Sequence, residues 1–216
     1  MKMKSKHIII PIVLLITLTI CTSIAITSAY YQDAQIANNE FSIGYNQVKI
    51  YEEFEPPDEL TVGENIYKKT VMAENTGSTN SFIRLYANFS SSEAENASMI
   101  STDNGITWQT VSEFRANLPQ GWIYIPYNIS NILSDYYYYT KEITPGERTV
   151  PLFTHIKTTY SSAEEIEPYE IIVYAESVQT YNKDGINFTG GNAYENAWLE
   201  FLENRGIGND GFYSVP

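Results

Sequence analysis

Beyond its first 29 residues the chain holds few groups that could do covalent chemistry. Of the two histidines, His7 and His155, and the one cysteine, Cys21, only His155 lies beyond residue 29. A helical zinc peptidase needs two histidines one turn apart with a glutamate between them as general base. His155 instead stands between Thr154 and Ile156, in a stretch that reads as a strand. A serine hydrolase needs its nucleophile on a sharp strand-to-helix elbow, and no such motif surrounds any serine. His155 is therefore read as a structural residue. The chain is read as no enzyme, with no catalytic residue, cofactor or metal assigned. Asn182-Lys183-Asp184-Gly185-Ile186-Asn187 echoes the start of a calcium loop, but the later ligand positions and the closing glutamate are missing, so a surface turn explains it better. Asn-x-Ser/Thr sequons fall at Asn88, Asn96, Asn128 and Asn187, as often as composition alone would place them.

The element that decides where any of this would act is the N-terminus. Lys2, Lys4 and Lys6 precede an apolar run from Ile8 to Cys21, and small residues lead to Thr27-Ser28-Ala29. Cations, a short apolar core and small residues at −3 and −1 make a secretory signal peptide, residues 1–29, with cleavage between Ala29 and Tyr30. A retained anchor is the alternative, since a helix needs about 20 residues to cross a bilayer. A lipoprotein acylated at Cys21 is disfavoured by Ile20 beside it. Cleavage leaves no cysteine, hence no disulfide and no thiolate site, which a chain of this size tolerates. The net charge is −13, and the leader carries three lysines and no acid, so the remainder is more acidic still. Such a surface repels phosphate backbones, which argues against nucleic acid as a partner, while divalent cations such as calcium suit it.

Tyr30–Glu40 carries only a thin apolar beat, Ala34 and Ile36, and reads as an extended segment. From Phe41 the period is two. Phe41, Ile43 and Tyr45 alternate, and Val48 and Ile50 continue after a slip in phase of the kind a bulge makes. Glu55-Pro56-Pro57-Asp58 stops that strand. Ile66–Glu74, Ser81–Phe89, Gly121–Ile125, Tyr136–Tyr139, Val150–Thr158 and Tyr169–Gln179 read as further strands. Met99–Val111 reads as a hairpin around Asp103-Asn104-Gly105, with Ile106 and Trp108 on the return. Ser90–Ser98 reads as an acidic loop. Ile171–Gln179 is apolar on both faces, which places it centrally in a sheet. Tyr194, Ala197, Trp198, Phe201 and Leu202 share one helix face near 192–204, with Asn192 and Glu195 as a capping box and Gly206 as terminator. Short strands with regular turns followed by one helix predict a single all-β domain over 41–216, an antiparallel β-sandwich with a C-terminal amphipathic helix.

Four stretches together resemble the TasA/camelysin family of exported matrix proteins. They are the leader junction with Asn39-Glu40-Phe41-Ser42-Ile43-Gly44; Val71–Leu85 with Glu74-Asn75-Thr76-Gly77-Ser78; Gly121-Trp122-Ile123-Tyr124 with Thr144–Phe153; and Ile171–Gln179 with Asn192–Trp198. The resemblance implies a jelly-roll sandwich outside the cell, its leader cut by a dedicated signal peptidase, assembled into biofilm-matrix or pilus-like fibres. In such fibres each subunit donates its N-terminal strand to the next, here residues 30–40 with Tyr30, Tyr31, Ala34 and Ile36. The partners expected are copies of the chain itself, the signal peptidase, and other matrix proteins or calcium, with no membrane association after cleavage. The alternatives are a monomeric secreted or surface-tethered adhesin and, less favoured, the extracellular metallopeptidase activity described for the camelysin branch.

Overall fold

The computed structural model describes residues 44–57, 59–126 and 132–205. The cleavage position, the donor residues Tyr30, Tyr31, Ala34 and Ile36, the start of the Phe41 strand, Asn128 and Gly206 all lie outside these. The described chain is a jelly-roll-like antiparallel sandwich of nine strands: β1 Val48–Glu55, β2 Gly63–Asn75, β3 Ser81–Phe89, β4 Ser98–Ser101, β5 Gln109–Thr110, β6 Trp122–Ile125, β7 Tyr136–Ile143, β8 Phe153–Tyr160 and β9 Ile171–Gln179. One sheet has the order β1-β2-β8-β4-β5, the other β6-β7-β3-β9. The chain passes from sheet to sheet after β2, β3, β5, β7 and β8, so most sequence neighbours lie in opposite layers.

Period-two patterning closes the layers. Val71 and Ala73 of β2, Ile83 and Leu85 of β3, Tyr137 and Tyr139 of β7, and Phe153 and Ile156 of β8 form one buried core between the sheets. The tyrosine run of β7 serves both faces. Tyr137 and Tyr139 enter this core, and Tyr138 points to the opposite side into a second one. That second core is made by helix α3, Ala193–Asn204, which lays Tyr194, Ala197, Trp198 and Leu202 over Phe82, Tyr138 and Val178 on the outer face of the β6-β7-β3-β9 sheet.

Turn chemistry sets the crossings. Asn75, fully buried, donates from Nδ2 to the carbonyls of Thr79 and Ile143, and its Oδ1 accepts from the Gly77 amide. One amide thus ties a turn to the far sheet, where leaving its groups unpaired would be costly. A Cβ on Gly77 would lie 2.4 Å from the Tyr45 carbonyl oxygen, so only glycine fits there. Thr144-Pro145-Gly146-Glu147 closes by Glu147 N–H to Thr144 C=O at 3.0 Å, with Gly146 at φ 83°, as a proline-glycine turn requires.

Several readings need correction. The Ser90–Ser98 loop contains a helix, α1 Ser92–Asn96, because Ser91 accepts from the Ala94 amide and caps it. A second helix, α2 Val111–Ala116, follows β5, built on a capping box of Thr110 and Glu113. The β4–β5 return strand is only Gln109–Thr110. Asp103 accepts from the Thr107 amide and hydroxyl and from Ser101, which folds 102–108 into a loop and leaves Ile106 exposed. Before β1, residues 44–47 are not strand; Tyr45 and Gln47 hydrogen-bond with Thr76–Ser78, and the start of the expected Phe41 strand lies outside the described residues. Asn192 stands at the start of α3, but its side chain makes no capping bond. Finally, among the described residues β9 is an edge strand, not a central one.

Candidate functional site

The two long edges of the sandwich lie on one side, β1 bordering one sheet and β9 the other, and they contact each other across the layers. They are protected very differently. Natural edges are blunted by charge, because a row of unpaired N–H and C=O groups is a template for another strand. β1 carries Lys49, Glu52, Glu53 and Glu55, with Lys68 of β2 reaching Glu53 at 2.8 Å. β9 begins Ile171-Ile172-Val173-Tyr174-Ala175, and its single charge, Glu176, is engaged by Arg84. Among the described residues β9 pairs only with β3, so one side of its backbone is unpaired. Its inward residues Ile171, Val173 and Ala175 are only partly buried; of their β3 neighbours Phe89, Ala87 and Leu85, only Leu85 is fully buried. The core face therefore runs to the rim at β9 without a cover.

At the Ile171 end the seam between the sheets widens into a cavity of about 450 Å³. It is lined by Phe54, Leu60, Tyr67, Lys69, Tyr169 and Ile171, among others. Phe54 meets Tyr67 edge to face, centroids 6.0 Å apart, yet is 49 % exposed. The floor is polar. The Tyr67 and Tyr169 hydroxyls share a hydrogen bond, and Tyr169 also bonds the Thr158 hydroxyl at 2.7 Å. Burial, together with that shared bond, drives the Tyr67 phenol far above its ordinary value, so it stays a neutral donor. Lys69 is buried against Glu52 and sits 4.6 Å over the Phe54 ring. Burial pulls its ammonium below the usual lysine range.

The remaining sequence candidates scatter. His155 lies on β8 between Lys68 and Ser101, near Gly105, and its Nδ1 has no hydrogen-bond partner. Among the described residues no three His, Cys, Asp or Glu side chains converge to hold a metal ion. Glu93, Glu164, Glu165 and Glu167 border a second cleft of about 520 Å³ without forming such a group. Asn182 Oδ1 accepts from the amides of Asp184 and Ile186, giving the surface turn. Asn88 is engaged by Tyr86 and Arg115, while Asn96 and Asn187 are exposed. No described helix is long and apolar enough to cross a membrane. Sequence reasoning missed Phe54, Leu60, Tyr67 and Tyr169 as a group. Nothing local marks them, because three separate segments bring them together.

Fold and edge together define an all-β, jelly-roll-like sandwich with a C-terminal helix and, among the described residues, one unprotected long edge. No protein-family model and no curated protein matches the chain. A solved structure found by comparison is the CBM3a-L domain with flanking linkers from scaffoldin cipA of the cellulosome of Clostridium thermocellum. It is 15 % identical over 69 % of this chain and 97 % of that one, with a TM-score of 0.19, too distant to carry any argument.

Proposed function

We propose that this chain is a secreted structural subunit that polymerises into extracellular fibres, each copy donating its extended segment 30–40 to the β9 edge of the next. One observation carries the reading: β9 is long, apolar on both faces, unpaired on one side among the described residues and charged only at Glu176, which Arg84 engages, so an added strand gains backbone hydrogen bonds and covers Val173 and Ala175. Ten extended residues, Tyr30–Asn39, span roughly 33 Å, and the nine of β9 roughly 30 Å. Residues 30–216, purified with Tyr30 as N-terminus and imaged by negative-stain electron microscopy at rising concentration, form regular filaments. Removing 30–39 leaves a folded monomer that does not assemble; filaments surviving that deletion refute donation.

A second reading has its own support. Tyr136, Tyr86 and Tyr174 form a row across β7, β3 and β9 on the outer face, centroids 5.9 and 6.0 Å apart, with Tyr174 62 % exposed. An exposed aromatic row suits a binding module such as an adhesin. That reading requires the 30–216 protein to stay monomeric at every concentration.

A further inference from the structure

The cavity at the Ile171 end and the exit point of the N-terminal segment lie at opposite ends of the sandwich. Residues 45–47 bond to Thr76–Ser78, and Gly44 sits against Thr79 and near the Tyr181 hydroxyl, at the end where β9 finishes. β1 then runs its whole length, roughly 27 Å for eight residues, before Phe54 reaches the cavity. We infer that the cavity is the receiving end of a head-to-tail contact and takes the Phe41 side chain of the preceding copy; this rests on the fibre reading above.

The geometry leads there in three steps. A segment leaving one copy at its Gly44 end meets the next copy at that copy's cavity end, because an exit and an acceptor on opposite ends make a heterologous contact that propagates and does not close. Climbing the next copy's β9 from that end, the segment runs antiparallel to it, with Tyr30 toward Gln179 and Asn39 toward Ile171. The residues just past Asn39 then stand level with Pro168–Ile171, at the cavity mouth. Phe41 is the one aromatic between Tyr31 and Tyr45, so it is the large apolar group the chain delivers to that level. The walls suit it. Phe54 and Tyr169 offer ring faces and edges, Leu60 and Ile171 aliphatic surface, and a cavity of about 450 Å³ accommodates a benzyl group. Occupation would also bury the exposed half of Phe54, an inward-facing aromatic that lacks a cover in the single copy.

Three variants of the 30–216 protein test this, each assayed for filament critical concentration and monomer melting temperature. Phe41→Ala and Phe54→Ser each remove one side of the contact. Phe54 is on an edge strand at the cavity rim and half exposed, so its loss spares the core. Each raises the critical concentration roughly tenfold or more, as losing a buried phenylalanine contact requires, with melting unchanged. The third, Ser42→Cys with Leu60→Cys, uses the absence of cysteine from residues 30–216. Mild oxidation of its filaments gives a covalent ladder in denaturing gels, because a disulfide forms only between closely opposed backbones. Filaments that grow normally in all variants, with no ladder, overturn the inference and leave the fibre reading standing. A ladder with normal growth of Phe41→Ala keeps the polarity and overturns Phe41 as occupant. No filaments from the unaltered 30–216 protein overturn the fibre reading, and this one with it.

Discussion

Arg84 shows how one residue joins a helix to a sheet. It is almost wholly buried on the outer face of β3, its guanidinium between the rings of Tyr136 at 3.9 Å and Trp198 at 4.2 Å. Nη2 and Nε bond Glu176 at 2.6 and 2.8 Å, and Nη1 donates to the Tyr138 hydroxyl at 3.1 Å. Burial lifts the Tyr138 phenol to about 12. Arg84→Leu leaves Glu176 without its cation and Trp198 without its stacking partner, so urea unfolding should show a loss of about 3 kcal/mol. Arg84→Lys should not restore it, since an ammonium lacks the planar fork that spans Glu176 and Tyr138. Asp103 is a second residue-scale case. The Thr107 hydroxyl and amide, and the Ser101 hydroxyl, hold its carboxyl at about 2. A depressed folded-state value means its contribution is present above the unfolded carboxyl value near ~4 and is lost as pH falls through about 2. Stability measured between pH 5 and 2 should fall less steeply in Asp103→Asn than in the unaltered protein.

Among the elements, β9 is where folding and assembly make opposed demands. Its inner face must be apolar to close the core against β3. Its outer face then keeps Ile172 and Tyr174, which no helix covers as α3 covers Phe82 and Val178. A lysine at such a position is the usual guard of an edge. Tyr174→Lys should therefore leave the monomer folded, judged by far-ultraviolet circular dichroism and melting temperature, while suppressing filament growth at physiological ionic strength. Normal growth in that variant would argue that assembly does not use this edge. The short edges on the other side of the sandwich, β5 and β6, have only two and four residues and offer little to pair with.

For the whole molecule the governing quantity is charge. The full sequence carries −13 and residues 30–216, without the three leader lysines, are more negative still, so copies repel one another over distances comparable to the Debye length, which is about 10 Å at 0.1 M salt. A contact built from backbone hydrogen bonds and apolar surface is not itself weakened by salt. Light scattering should consequently show faster filament growth as sodium chloride rises from 20 to about 300 mM, since screening removes the repulsion and leaves the attraction. Slower growth at higher salt would mean that ion pairs, not strand addition, hold the copies together.

How much of this was legible in the sequence differs by element. Period two, the Pro-Gly turn at 145–146 and the i, i+3, i+4 face of Tyr194–Leu202 are local properties, and they settle an all-β chain with a terminal helix because side-chain direction follows backbone period. The short helices at 92–96 and 111–116 hide because a single turn leaves little periodicity to read, although Ser91 and Thr110 with Glu113 carry the capping chemistry. The position of β9 hides for a deeper reason. A run apolar on both faces reads the same whether neighbours flank it on two sides or one, and only strand order distinguishes them. The cavity of Phe54, Leu60, Tyr67 and Tyr169 likewise exists because β1, β2 and the approach to β9, far apart in sequence, meet at one end of the sandwich. Burial and edge status are properties of neighbours in space, and those the tertiary structure alone decided.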